Sequence, residues 1–319
     1  MRLFVKKITI LLLLFMFLVS AIDYLFFRNI VTLTDIKYRG LIEKKDSIEL
    51  IVLGNSHAHN AVNPSCFADL EVYNIAEASH DIILGAAILE QAQRQGLPNL
   101  KYVLISVDYH TLFQHPNKYS LIRAYYSSGV KLNSYNDLYY KLADISPLIF
   151  GYSEKTIARS FVFKQLEYYL RGSNNQQIAD KEHNTNNDIY NGFSTYNKTN
   201  IESFNKKAYN NRVEVFTNND LNYKEIERLE EVINNLIKQN IKPILFSAPT
   251  YCEYNKLLDK QQIKKTYNEI NRLCSKYNIK HFSFENDERF VIEDFYNCDH
   301  LNYIGAEKFS RILADTLGL

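Results

Sequence analysis

Tryptophan is absent from this 319-residue chain, cysteine occurs 4 times, and neither sign of charge dominates. With 37 Lys and Arg against 36 Asp and Glu the net charge is +1, so the bulk balance gives no electrostatic footprint for a nucleic-acid partner. Cys66, Cys252, Cys274 and Cys298 lack the spacing of a metal site. In an exported protein their even number permits two disulfides, with buried free thiols as the alternative. None of them lies near the apolar N-terminal segment, which excludes a lipid-modified cysteine there. No internal repeat is present, which argues against a solenoid. What the chain has in quantity is apolar surface, 46% of its residues, with 24 Tyr and 19 Phe. That is ample for a core. At about 100–200 residues per domain, the length allows one large domain or two small ones.

The single long apolar run covers residues 8–27, with Asp23 near its far end and Arg2, Lys6 and Lys7 before it. About 20 apolar residues span a bilayer, and preceding basic residues keep the N-terminus in the cytoplasm. The reading is an anchor over residues 1–29 and an extracytoplasmic domain over 30–319. A cleaved signal peptide is the competitor, because Val19-Ser20-Ala21 has the look of a cleavage site, and would make the protein secreted. The apolar run continues through Tyr24-Leu25-Phe26-Phe27, past that point, and favours the anchor in the cytoplasmic membrane.

Beyond a charged connector at 28–48, short β-branched runs alternate with helical periodicity. Strands are expected at 50–53, 71–76, 101–107, 242–249 and 280–284. Helices are expected at 79–96, 223–239, 255–278 and 303–317, the last with Ile304, Phe309, Ile312 and Leu313 facing inward. This rhythm predicts an α/β fold with crossover connections and a mainly parallel sheet. Residues 109–222 break it as a central insertion: a Tyr-rich part with helical stretches, including 154–170, and an Asn-rich part at 171–222 expected as a surface loop or lid.

The stretch that carries chemistry is Leu50-Ile51-Val52-Leu53-Gly54-Asn55-Ser56-His57. A buried strand that stops at glycine and hands over a serine presents that serine at the carboxyl edge of an open sheet. Serine needs a base within reach and donors for a developing oxyanion. Among the eight histidines, His300 follows the last strand and precedes the last helix, where a sheet-edge loop can reach back to Ser56. Asp299 adjoins it. His80 and His110 fall at the same edge and can line a cleft or lie on the surface. Asp108 ends a strand there and can equally be a turn residue. His57 and His59 are two residues apart and can shape the pocket, or ligate a metal with Asp299 and His300.

Gly54-Asn55-Ser56-His57 resembles the Gly-Asp-Ser opening block of SGNH (GDSL-type) hydrolases. Asp299-His300-Leu301-Asn302 with Gly305, Ala306 and Phe309 resembles their closing histidine block. The form is similar to membrane-anchored members that serve bacterial envelope polysaccharides, including DltD-like and alginate-acetylation-like proteins. The likeness covers residues 48–108 and 223–319, not the insertion.

The resemblance implies a flavodoxin-like three-layer α/β/α sandwich, with Ser56 attacking an ester and His300 as base. It also implies an oxyanion held by the Ser56 amide and by donors from the turns at 76–79 and 108–110. It implies no cofactor. Its expected partners are an envelope glycan and a membrane-bound O-acyltransferase. The family's acid position, three residues before the histidine, holds Asn297, and Asp299 is the substitute. Ala76-Glu77-Ala78 stands where the family has a glycine, and Val107-Asp108-Tyr109-His110 where it has Gly-x-Asn-Asp. The expected site is Ser56, His300 and Asp299, with Asn55, His57, Ala76, Asp108 and Asn297 around them. The alternative is a catalytically silent scaffold or glycan-binding module of the same fold.

Overall fold

The computed structural model describes residues 1–22, 33–115, 118–132, 140–141, 189–217 and 220–319. Five strands form one sheet: β1 (Leu50–Leu53), β2 (Val72–Asn74), β3 (Tyr102–Ser106), β4 (Lys242–Ser247) and β5 (His281–Ser283). Their spatial order is β2-β1-β3-β4-β5, and every pairing is parallel. This is the flavodoxin-like doubly wound order, whose ligand crevice lies at the carboxyl ends of the strands on either side of the switch between β1 and β3. Ser56 follows β1 and Asp108 follows β3, so the topology alone brings those two segments to one crevice.

Parallel strands are covered on both faces, and β1 is accordingly buried along its whole length. Ile51, Leu53, Val103, Ile105 and Leu245 face one layer of helices. That layer contains α4 (Ile82–Arg94), whose Asp81 side chain caps it by accepting from Leu84 N. It also contains α7 (Tyr223–Lys238) and α9 (Lys260–Tyr277). Leu50, Val52, Leu104, Ile244 and Phe246 face the other layer. There α3 (Ser56–Ala61) packs with α10 (Tyr303–Leu317). Phe309 of α10 is fully buried among Phe246, Phe284 and Phe290. Truncating such a residue typically costs about 3–5 kcal/mol.

Several expectations are corrected. Within the described part of the charged connector there is a helix, α2 (Leu33–Glu43), which buries Thr34, Lys37 and Leu41. The helix expected at 255–278 is two, α8 (Cys252–Asn255), which ends with Lys256 as its C-cap, and α9, whose N-cap is Asp259. Ile304 does not face inward on α10 but is 60% exposed. The buried stripe runs through Ala306, Phe309 and Leu313, spaced i, i+3, i+7. The described part of 171–222 is not a plain loop. It holds α6 (Lys206–Phe216), capped by Asn205. The helical stretch expected at 154–170 lies outside the described residues, and α5 (Lys118–Ser128) is the part of the Tyr-rich segment that is described as a helix.

The four cysteines are free thiols. At the N-terminus, α1 (Arg2–Ile22) is long and apolar enough to cross a membrane, with mean hydropathy 2.3 over residues 2–21.

Candidate active site

The turn after β1 is built by sterics. Gly54 has φ +157°, and a Cβ there would lie 2.6 Å from the Ser106 Cβ and 2.9 Å from the Ala58 Cβ. Only glycine lets β1 pass so close to β3 and then turn. Asn55 follows as the N-cap of α3, its Oδ1 accepting from His57 N at 2.8 Å. Ser56 is therefore the first residue of a helix, with its hydroxyl at the crevice.

The second component is a two-stranded hairpin, β6 (Phe295–Asn297) and β7 (His300–Leu301). Two anchors fix it against α10. The Asn302 side chain caps the helix at Gly305 N (3.0 Å) and donates to Glu293 O (2.6 Å) and Phe295 O (3.2 Å). Gly305 lies against the backbone of Asp294, whose carbonyl oxygen would be 2.0 Å from an added Cβ. The closing motif read from the sequence is thus the packing of the last helix onto the hairpin that carries the histidine.

These two components bring Ser56 and His300 together: Ser56 Oγ lies 2.9 Å from His300 Nε2. On the other side of the ring, His300 Nδ1 is 3.0 Å from Asn297 Oδ1 and 3.0 Å from Asp299 Oδ1. Both residues thus sit at the ring nitrogen, Asn297 with hydrogen-bond geometry and Asp299 as an ion-pair contact. Asn297 Oδ1 also accepts the backbone amides of Asp299 (3.2 Å) and His300 (2.9 Å), so it shapes the turn as well. Asp299 is fully buried, and its second oxygen accepts from Arg212 Nε at 2.5 Å. Burial disfavours the Asp299 anion, but His300, His57 and Arg212 outweigh it and hold its carboxyl well below the usual range. Burial also pulls the His300 imidazole down, with Asp299 acting against it. Burial thus favours the neutral imidazole, the form that can accept a proton.

Arg212 is the residue that sequence reasoning missed. It lies in the Asn-rich part of the insertion, on α6, with its guanidinium 4.8 Å from the Phe216 ring. Tyr209, Val213 and Phe216 at helical spacing were the signal available, but neighbouring polar residues masked it.

The remaining candidates divide between the cavity wall and the layer behind it. A cavity of about 770 Å³ opens over Ser56 and His300. Asn55, Asn297 and His110 line it, and Thr195, Tyr196 and Phe216 supply wall from the insertion. The neutral His110 ring, pushed down to about 3 by burial and by neighbouring His57, packs 4.3 Å from Phe216. His57 and Asp108 are not in the wall. Asp108 is buried beneath it, taking Asn55 Nδ2 at 3.1 Å, Ser106 Oγ at 3.1 Å and Ala248 N at 3.2 Å.

Ala76 also lies behind the wall. Its amide donates to Asn74 Oδ1 at 3.0 Å and its carbonyl accepts from Lys37 Nζ. The same turn instead presents Ala78 and Ser79 to the cavity, Ser79 in the left-handed region at φ 62°. That conformation costs a non-glycine residue about 1 kcal/mol. His80 is buried away from the cavity, in a small pocket beside Lys37 and Glu77.

A metal set of His57, His59, Asp299 and His300 does not assemble. His59 turns its Nδ1 to Lys37 Nζ, 2.8 Å away. Donor atoms of His57, Asp299 and His300 do fall within 4.8 Å of one another. A cation there would compete with Ser56 or Asp299 for His300 and lie beside the Arg212 guanidinium, so these residues fit a proton network better than an ion.

Comparison with protein-family models and with curated proteins returns no match. Among solved structures, the chain is similar to a lipase/acylhydrolase from Enterococcus faecalis at 9% identity, over 85% of this chain and 95% of that one, with a TM-score of 0.38. It is also similar to a candidate platelet activating factor from Streptococcus pneumonia at 12% identity, over 89% and 91%, with a TM-score of 0.41.

Proposed function

We propose that this protein is a membrane-anchored, SGNH-like serine esterase or O-acyltransferase that works through an acyl group on Ser56. The observation that carries the reading is the 2.9 Å contact of Ser56 Oγ with His300 Nε2, backed at Nδ1 by Asp299 and Asn297. A hydroxyl, a base and a group orienting that base are the minimum for nucleophilic catalysis by serine.

The first half-reaction forms the Ser56 Oγ–acyl carbon bond while His300 Nε2 takes the hydroxyl proton. The charge on the tetrahedral oxygen is met by the Ser56 amide, at the open first turn of α3, and by the 76–79 turn, where Ala78 and Ser79 reach the cavity. The imidazolium then gives its proton to the departing alkoxide as the ester C–O bond breaks. The second half-reaction repeats these steps with water or a sugar hydroxyl as nucleophile, and returns Ser56 and His300 to their starting states. Asp299 stabilises the imidazolium in both halves.

The substrate we propose is an esterified glycan of the cell envelope, with α1 holding the domain at the outer face of the cytoplasmic membrane. A membrane-bound O-acyltransferase would supply the acyl group for transfer. Polar lining supports a sugar-like ligand: Asn55, Asn60, Gln114, Thr195 and Asn297 all contribute to the cavity. The test is hydrolysis of a chromogenic acetyl ester by the full chain in detergent, alongside Ser56→Ala and His300→Ala. Loss of turnover in both variants is expected. Equal rates in all three would remove the pair from the mechanism and leave a glycan-binding module.

A further inference from the structure

His57 follows the nucleophile in sequence but points away from the cavity and is 1% exposed. Its two ring nitrogens face two different carboxylates: Nδ1 lies 3.3 Å from Asp108 Oδ2, and Nε2 lies 3.6 Å from Asp299 Oδ2. Both carboxylate side chains are completely buried. A neutral imidazole has one N–H and one bare lone pair. The two contacts are ion-pair contacts without hydrogen-bond geometry, and a neutral ring would leave its bare nitrogen facing a buried carboxylate oxygen whichever tautomer it adopted. Only the doubly protonated ring places an N–H and positive charge on both sides.

The charges of the cluster lead to the same place. Asp108 and Asp299 bring two negative charges out of water, and Arg212 brings one positive charge, on Asp299. Asp108 is otherwise met by neutral donors from Asn55, Ser106 and Ala248. Glu285 is the next carboxyl, but it binds Tyr109 N at 3.0 Å and the Tyr267 hydroxyl at 2.5 Å, and burial raises it to about 7. His110 and His300 stand edge-on to His57, at centroid distances of 4.9 and 5.3 Å, and burial shifts both toward the neutral form. Burying two charges of one sign against a single counter-charge is costly. A second cation between the carboxylates removes the imbalance. Burial alone would pull the His57 imidazole down, but the two carboxylates outweigh it and carry it up to about 10.

We propose that His57 is a standing imidazolium bridging Asp108 and Asp299, and a positioning residue that ties the acid behind His300 to the end of β3. Its charge state does not depend on whether Ser56 turns over an ester. Its positioning role rests on the esterase reading. Asp299 is then shared among three partners, Oδ1 with His300 and Oδ2 with Arg212 and His57. The positive ring beside His300 also lowers the pH at which that base becomes free, because a like charge disfavours the imidazolium of His300.

Two measurements on the full chain in detergent decide this. Nitrogen-15 NMR of labelled histidine, with His57 assigned by comparison with His57→Gln, should show both His57 nitrogens protonated between pH 5 and 8. A bare nitrogen on His57 at pH 7 overturns the proposal, whether or not any ester is hydrolysed. The pH profile of kcat/KM in His57→Gln should show its acidic limb moved to higher pH, because His300 has lost a positive neighbour. A limb that stays in place while kcat falls would reduce His57 to a packing residue. A wild-type protein without turnover but with both nitrogens protonated would contradict the esterase reading and keep the ion bridge.

Discussion

Asp299→Asn separates the two side chains that share the back of His300. Asp299 Oδ1 and Asn297 Oδ1 are both 3.0 Å from Nδ1, but only the carboxylate would offset the charge that the proposed transfer of the Ser56 proton puts on His300. In a serine protease the matching Asp→Asn change lowers kcat by about 10⁴-fold. Here Asn297 retains part of the orienting contact, so a loss of about 10³–10⁴-fold is expected, equivalent to about 4–5 kcal/mol of barrier. Stability falls as well, because Arg212 and His57 lose their shared anion. Breaking a fully buried pair costs about 3–5 kcal/mol. The Arg212 side chain is 32% exposed, so about 1–3 kcal/mol is expected after solvent screening.

Asn297→Ala keeps the charge and removes an acceptor of the hairpin turn, for an expected loss of about tenfold or less. Initial rates on a chromogenic acetyl ester, paired with thermal melts to show that both variants are folded, make the comparison. The assignment is refuted by an Asp299→Asn protein within threefold of wild type beside an Asn297→Ala protein that has lost activity.

Other consequences follow from single side chains. Gly54→Ala drives a Cβ into Ser106 and Ala58 and should destabilise by about 1–3 kcal/mol or more, visible as a lower denaturation midpoint. Asn302→Ala removes the cap of α10 together with two hairpin contacts; about 1–2 kcal/mol is expected from the cap alone, with reduced turnover as His300 loses its fixed position. Glu225 is buried beside Asp81, and burial followed by that neighbouring charge raises it to about 9. The folded state therefore holds a proton that the unfolded state releases above its ordinary value of 4.5. Stability should fall as pH rises from there toward 9. Glu225→Gln should flatten that slope and raise the melting temperature at pH 8, and unchanged melting curves across pH would contradict it.

The fold was legible wherever a segment had one dominant period. β1, β3 and β4 are continuous apolar runs because parallel strands are buried on both faces, and α7 shows its stripe from Ile226 to Leu236. Boundaries depended on caps: Asp81, Asp259 and Asn302 each set a helix start that periodicity alone blurs. The pairing of Ser56 with His300 was legible because both motifs are local and topology joins their ends. The second layer was not. His57 next to Ser56 reads as a pocket residue, and only the packing of α3 shows it turned inward to two carboxylates. Arg212 comes from a polar segment whose meaning depends on where α6 docks, which no local pattern specifies. α2 was hidden for a similar reason: its composition is that of a linker, yet Lys37 is buried with its ammonium on Ala76 O and His59 Nδ1.

The central claim is that Ser56 is a nucleophile activated by His300. Its most direct test is labelling of the full chain by an activated phosphonate, with the modified residue mapped by mass spectrometry. The expected result is a single adduct on Ser56, absent in Ser56→Ala and much slower to form in His300→Ala. An unlabelled Ser56 in the folded wild-type protein, or a label that forms equally fast without His300, would contradict it.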